Sequence, residues 1–175
     1  MIEDIRFRTP VATDGGRVHE LVSRCPPLDV NSTYCNLLQC THFATTSVVA
    51  ESDGNLVGFV SGYLLPDEPT TIFVWQVAVA PERRSQGLAL AMLNNLLERD
   101  ICRGVTALET SITRANQPSW RSFRALARAL GADIATEPWL SRVEHFSSRH
   151  ESEYLVRIGP IVHHSQKRML KEAHR

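Results

Sequence analysis

Residues 77–89, VAVAPERRSQGLA, set Arg84, Gly87 and Ala89 between a β-rich run and an apolar helical stripe. Small residues let a backbone approach a ligand closely, and the unsatisfied N–H groups at a helix start attract anions, helped by the helix dipole. The spacing Arg-x-x-Gly-x-Ala therefore suits a pyrophosphate; the plain alternative is a glycine loop that turns a corner. Elsewhere Asp29 stands in a proline-containing loop, where its carboxylate could pair with a cation or cap the next helix. Trp75, two residues before Val77 and on the same face of a regular strand, could meet a cation with its indole or simply fill core. Gln76 points to the opposite face by the same period. His150, Glu151 and Glu153 precede and enter a last β-rich run, where such residues are often just solvated.

The elements that must position these groups are legible from periodicity. Ile5 and Phe7 suit a short strand, and Thr13 or Asp14 offers an N-cap to a helix carrying Val18, Leu21, Val22 and Cys25, which Pro26-Pro27 stops. A loop with Asp29 and Asn31 leads to a second helix with Tyr34, Leu37 and Leu38. Residues 47–51 and 56–63 read as a hairpin around Asp53-Gly54. Pro66 and Pro69 mark a loop before a strand over 72–79, followed by a helix over 88–98. A strand over 107–112, a helix over 120–130 stopped by Gly131 and a strand over 154–158 complete an α+β fold around a mixed sheet.

Length 175 and a hydrophobic fraction of 43% suit one domain, placed at residues 1–160. Residues 161–175 carry His163, His164, Lys167, Arg168, Lys171 and Arg175 and read as a basic tail. Nineteen basic residues balance nineteen acidic ones, so no field favours nucleic acid or an anionic membrane, and no run is long enough to span a bilayer. The N-terminal residues lack a secretory apolar run, which points to the cytoplasm, where Cys25, Cys35, Cys40 and Cys102 are expected to stay as thiols and to serve as small buried hydrophobes. Cys35, Cys40 and His42 lack the paired spacing of a zinc site, so no metal is expected.

Residues 77–89 resemble the acetyl-coenzyme A motif of the Gcn5-related N-acetyltransferase (GNAT) superfamily. The resemblance implies a mixed, mostly antiparallel sheet with one splayed strand and flanking helices. Val77 and Val79 would face the pantetheine arm, and Arg84, Ser85, Gln86, Gly87, Leu88 and Ala89 would hold the pyrophosphate of acetyl-CoA. NQPSWRSFRALARALGA resembles the next motif of the superfamily, with Asn116 opening the helix that flanks the cofactor. Phe123 falls where many members carry a Tyr that protonates the departing thiolate, leaving Tyr34, Tyr63 or water for that task.

CPPLDVNSTY, ESDGNLVGFVSGY, FVWQVAV and HESEYLVRI narrow the resemblance to the diaminobutyrate acetyltransferases of that superfamily. The implied reaction is acetyl transfer to the γ-amine of L-2,4-diaminobutyrate, a step of ectoine biosynthesis under osmotic stress. Asp29, Trp75 and Glu153 would bind the substrate, and Glu153, His150 and Tyr34 would serve catalysis, with Glu153 favoured over Glu151 by the family pattern. A protonated amine must first lose its proton, after which it attacks the thioester directly, with no acyl-enzyme. A homodimer is implied as well. Alternatives on the same fold are an acetyltransferase of another small amine or peptide N-terminus, or a non-catalytic sensor of coenzyme A or amino acid.

Overall fold

The computed structural model describes residues 4–162. Seven strands form one sheet in the order β1-β2-β3-β4-β5-β7-β6. They are β1 (Arg6–Arg8), β2 (Ser47–Ser52), β3 (Asn55–Leu65), β4 (Glu68–Val79), β5 (Ala107–Thr113), β6 (Asp133–Leu140) and β7 (Glu153–Gly159). The four α-helices of the described residues are α1 (Gly15–Ser23), α2 (Thr33–Gln39), α3 (Leu88–Leu97) and α4 (Gln117–Leu130). All neighbouring strands run antiparallel except β4 and β5, the expected mixed sheet.

The hairpin forms where Asp53-Gly54 predicts it, with both residues at positive φ (50° and 75°), as a tight two-residue turn demands. α2 is capped by Ser32, whose Oγ accepts from Cys35 N at 3.1 Å. Asp14 does precede α1, but its carboxylate makes no cap; it binds Arg8 (2.6 Å) and accepts from Val11 N (2.9 Å), tying the start of α1 to β1. β4 begins at Glu68 rather than after Pro69, so the loop expected there is only two residues long.

β6 is absent from the periodicity reading, and its composition explains why. DIATEPWL lies at the sheet edge with almost every residue exposed, so it carries no alternating apolar face, and Pro138 is tolerated only because an edge strand has spare N–H positions. β7, buried between β5 and β6, supplies the pattern that β6 lacks.

Gly58 of β3 faces α3 so closely that a Cβ would lie 2.7 Å from Met92 Sδ. Gly58 and Val60 pair with Val79 and Val77, which puts those two valines on the α3 side of the sheet. Ser61, paired with Gln76, faces the other way and accepts from Gln39 of α2 at 3.2 Å. The sheet thus separates an α3/α4 side from an α1/α2 side. Three of the cysteines are buried, as expected, and Cys35 is half-buried. Ile161, assigned to the tail by composition, packs in the core and its N–H donates to Thr106 O at 2.7 Å. The expected tail residues from His163 onward lie outside the described residues.

Candidate active site

β4 and β5 pair only over Thr71–Val74 and Ala107–Thr110. Beyond Val74, β4 stays with β3 as far as Val79, while β5 continues with β7 as far as Thr113. The two strands therefore part, and the edge of β4 that faces β5 has no strand partner from Trp75 to Val79. That opening joins the two sides of the sheet.

On the α3/α4 side the opening leads into a cleft of about 380 Å³. Val77, Val79, Arg84, Ser85, Gly87, Leu88, Ala89, Asn116 and Phe123 line it together, which gathers nearly all of the residues singled out for the cofactor. Gln86 does not line it; its amide turns back to donate to Glu82 O at 3.1 Å. Gly87 occupies the position before α3 at φ 80°, and no side chain caps the helix, so the first N–H groups of α3 keep their capacity for a ligand. Ser85 shares the left-handed conformation at φ 61°. Arg84 Nε donates to Val79 O at 3.3 Å, which folds the loop over the end of β4.

The far wall is α4. Asn116 Oδ1 accepts from Ser119 N at 3.2 Å, so the Asn that the motif places at this helix start acts there as its N-cap. Phe123 is 3% exposed, an apolar wall with no hydroxyl to offer. Arg121 and residues 25–28 also line the cleft. The sequence reading missed these; Arg121 carries only the weak signal of one more cation on an amphipathic helix.

On the α1/α2 side, residues from opposite ends of the chain meet. His150 Nε2 lies 3.2 Å from Asp29 Oδ2 and 4.0 Å from Glu153 Oε1. Its Nδ1 is 2.8 Å from Glu151 O, and its ring packs against Phe146 at 4.6 Å. Glu151 therefore contributes a carbonyl to the cluster, while Glu153 contributes a carboxylate. Asp29 caps nothing, since Ser32 holds that role. The carbonyl of Glu151, together with the carboxylates of Asp29 and Glu153, raises the His150 pKa above its ordinary value despite partial burial. Acceptors face both ring nitrogens, an arrangement that favours the protonated imidazole over the neutral one.

The cluster bridges the opening. Asp29 is fastened to β4, because Gln76 Nε2 donates to its backbone carbonyl at 3.2 Å. Glu153 is fastened to β5, opposite Thr113 in the β5–β7 register. His150 connects the two.

Among the described residues Trp75 and Tyr34 make no hydrogen bond or ring contact with this cluster. Ser61 pairs with Gln76 but Gly62 with Val74, so Trp75 is the unpaired residue of a β-bulge and the regular alternation assumed for it breaks there. It is 44% exposed and does not line the cleft. Tyr34, in the first turn of α2, is 69% exposed. Tyr63, the other candidate acid, stacks between Phe43 (6.1 Å) and Phe73 (5.4 Å), and burial pushes its pKa up. Among the described residues no group of three potential metal ligands comes together, and no helix is long and apolar enough to cross a membrane.

Comparison with known proteins accords with this geometry. Residues 16–127 match the Acetyltransferase (GNAT) family. An L-2,4-diaminobutyric acid acetyltransferase of Methylotuvimicrobium alcaliphilum is 47% identical over 90% of this chain and 91% of its own length. One of Vibrio cholerae is 49% identical over 87% and 88%. Among solved structures, a diaminobutyrate acetyltransferase from Paenibacillus lautus, in complex with L-2,4-diaminobutyric acid and coenzyme A, superposes with a TM-score of 0.86 at 38% identity, covering 91% of this chain and 96% of that one. The ribosomal-protein-S18-alanine N-acetyltransferase of Escherichia coli shares the fold at a TM-score of 0.64 and 15% identity. A parted strand pair, a glycine loop at the head of α3 and these likenesses place the chain in the acetyltransferase (GNAT) family and, within it, among the L-2,4-diaminobutyric acid acetyltransferases.

Proposed function

We propose that this protein transfers the acetyl group of acetyl-CoA to the γ-amine of L-2,4-diaminobutyrate, giving the N4-acetyl product used in ectoine formation under osmotic stress. The observation that carries the reading is the Asp29–His150–Glu153 cluster astride the gap between β4 and β5, with the glycine-loop cleft on the other side of the sheet. A donor in the cleft and an amine at the cluster would meet through that gap.

The cleft suits the donor. The first turn of α3 offers N–H groups to a diphosphate, Arg84 and Arg121 add positive charge, and Val77, Val79 and Phe123 wall an apolar arm. The free edge of β4 supplies backbone donors and acceptors for an amide-bearing chain and an N–H for a developing oxyanion.

The cluster suits a diamine. Two carboxylates beside a single imidazole leave the cluster net negative whether or not the ring is protonated, which attracts an ammonium group. Glu153 is mostly shielded from solvent and its carboxylate makes no hydrogen bond among the described residues, so it is free to accept from the substrate. His150 faces both carboxylates and contacts Asp29, and the proton of the attacking amine passes to Glu153 or through water to solvent. Phe123 gives no acid, and a thiolate is a good enough leaving group to depart without one. A homodimer belongs to the same proposal and rests on the family resemblance.

The test is thiol release from acetyl-CoA with a panel of amines. Diaminobutyrate should be turned over well ahead of ornithine, spermidine and a peptide N-terminus. Preference for another amine would overturn the assignment of acceptor, and binding of acetyl-CoA without any turnover would make the protein a sensor.

A further inference from the structure

Three buried amides and a serine lie where α2 packs on the sheet. Asn36, Gln39 and Ser61 are all fully buried, and Gln76 is 7% exposed. His19 Nδ1 lies 3.3 Å from Asn36 Oδ1, Asn36 Nδ2 donates to Gln39 Oε1 at 2.9 Å, and Gln39 Nε2 donates to Ser61 Oγ at 3.2 Å. Ser61 stands opposite Gln76 in the β3–β4 register, on the same face. Gln76 uses both ends of its amide on the loop between α1 and α2: Nε2 donates to Asp29 O at 3.2 Å and Oε1 accepts from Asn31 Nδ2 at 3.4 Å. Burying a carboxamide is costly unless it is satisfied, and an apolar side chain would fill this place in a sheet with less to satisfy. The feature Gln76 secures is a loop whose Asp29 carboxylate is largely exposed except where it meets His150.

We propose that Gln76 is a positioning residue: from the bulged stretch of β4 it clamps residues 29–31, and so sets the Asp29 carboxylate against His150 at the acceptor side of the opening. This deepens the proposed function, on whose acceptor site it rests. Gln76 has no access to the cleft on the α3/α4 side, because it pairs with Ser61 while its neighbour Val77 faces that cleft. Its effect is therefore confined to the acceptor. The bulge contributes by freeing Trp75 from the pairing pattern, which lets Gln76 follow Val74 without regular alternation.

The experiment uses the full chain with Gln76→Leu, which removes both bonds, Asp29→Asn, and the double variant. In steady-state kinetics Gln76→Leu should raise the KM for diaminobutyrate about tenfold, the order expected for losing a buried hydrogen bond, with the KM for acetyl-CoA changed by less than about twofold. Asp29→Asn should act alike, and the double variant should be no worse than the more severe single one, since both disable one device. A second readout needs no substrate. The groups facing His150 are the carboxylates of Asp29 and Glu153, the carbonyl of Glu151 and the ring of Phe146. In NMR titrations of the imidazole, Gln76→Leu should lower the His150 midpoint in the same direction as Asp29→Asn, though not fully, because the Glu151 contact remains. If the wild type ignores diaminobutyrate, the acceptor assignment fails and the titration alone judges the clamp. Should Gln76→Leu fail to fold, Gln76→Asn, one methylene shorter, is held to the same two readouts. A folded variant with an unchanged His150 midpoint, or losses that add in the double variant, overturns the proposal.

Discussion

The two sides of the opening between β4 and β5 are built by opposite means. The side proposed for the donor comes largely from one stretch, the end of β4, the loop through Gly87 and the start of α3, and it offers main-chain groups. The side proposed for the acceptor takes Asp29 from the loop after α1 and His150 and Glu153 from the approach to β7, and it presents ionisable side chains. A main-chain site depends on φ, ψ and the absence of bulk, whereas a side-chain site depends on charge and on whatever holds distant loops together. The donor side should therefore break on changes of backbone conformation, and the acceptor side on changes of charge that leave the backbone alone.

The largest effect is expected at Gly87. A β-branched residue at φ 80° is strained, by about 1–2 kcal/mol, and would push bulk toward the loop amides. Gly87→Val should weaken acetyl-CoA binding roughly a hundredfold by calorimetry, which is more than strain alone requires because the N–H groups are also displaced. Near-native affinity would show that the loop only turns a corner.

Next comes Glu153→Gln, which keeps shape and removes charge. Loss of a charge-assisted contact of about 1.5–3 kcal/mol should lower kcat/KM for diaminobutyrate roughly ten- to hundredfold, with acetyl-CoA binding intact. A matching loss of donor affinity would dissolve the distinction between the two sides.

A smaller effect follows from His150. Its pKa is raised in the folded state, so the stabilisation from its contacts is complete below the ordinary value of 6.5 and is lost as pH rises through the raised one. The Tm of the wild type should fall over that window relative to Asp29→Asn, whose His150 faces one carboxylate fewer. Parallel Tm curves across the window would mean that Asp29 and His150 do not interact in solution.

The smallest effect is expected of Phe123→Tyr. If the thiolate departs unaided, the new hydroxyl in this apolar wall should change kcat by less than about threefold, against the hundredfold or more that a needed general acid supplies. A large gain would show that the missing acid limits the wild-type enzyme.

How well the sequence could be read follows the same division. Arg84, Gly87, Ala89 and Asn116 sit at fixed short spacings, and short spacings survive folding, so their gathering around one cleft was legible in the chain, whereas Arg121 and residues 25–28, which no spacing marks, were not, and Gln86 turns away to Glu82. Asp29, His150 and Glu153 stood out through a family resemblance, since nothing local in the chain says that residues so far apart touch. The pleat face expected of Trp75 from regular alternation does not hold, because a single extra residue in β4 resets a period of two, and no feature of FVWQVAV marks where the extra residue falls. Gln76, expected on the face opposite Val77, does face away from that cleft, and toward the loop that carries Asp29.

The sequence by itself determined the strands with an apolar face, the hairpin at Asp53-Gly54, the helices and the glycine loop, because each depends on interactions within a few residues or on a periodic pattern of burial. Only the tertiary structure decided that β4 and β5 part after Val74, that β6 closes the edge without an apolar face, and that His150 stands between Asp29 and Glu153. Those outcomes turn on the register of non-adjacent strands and the docking of loops, which are set by the packing of the whole sheet and leave no local trace in the chain.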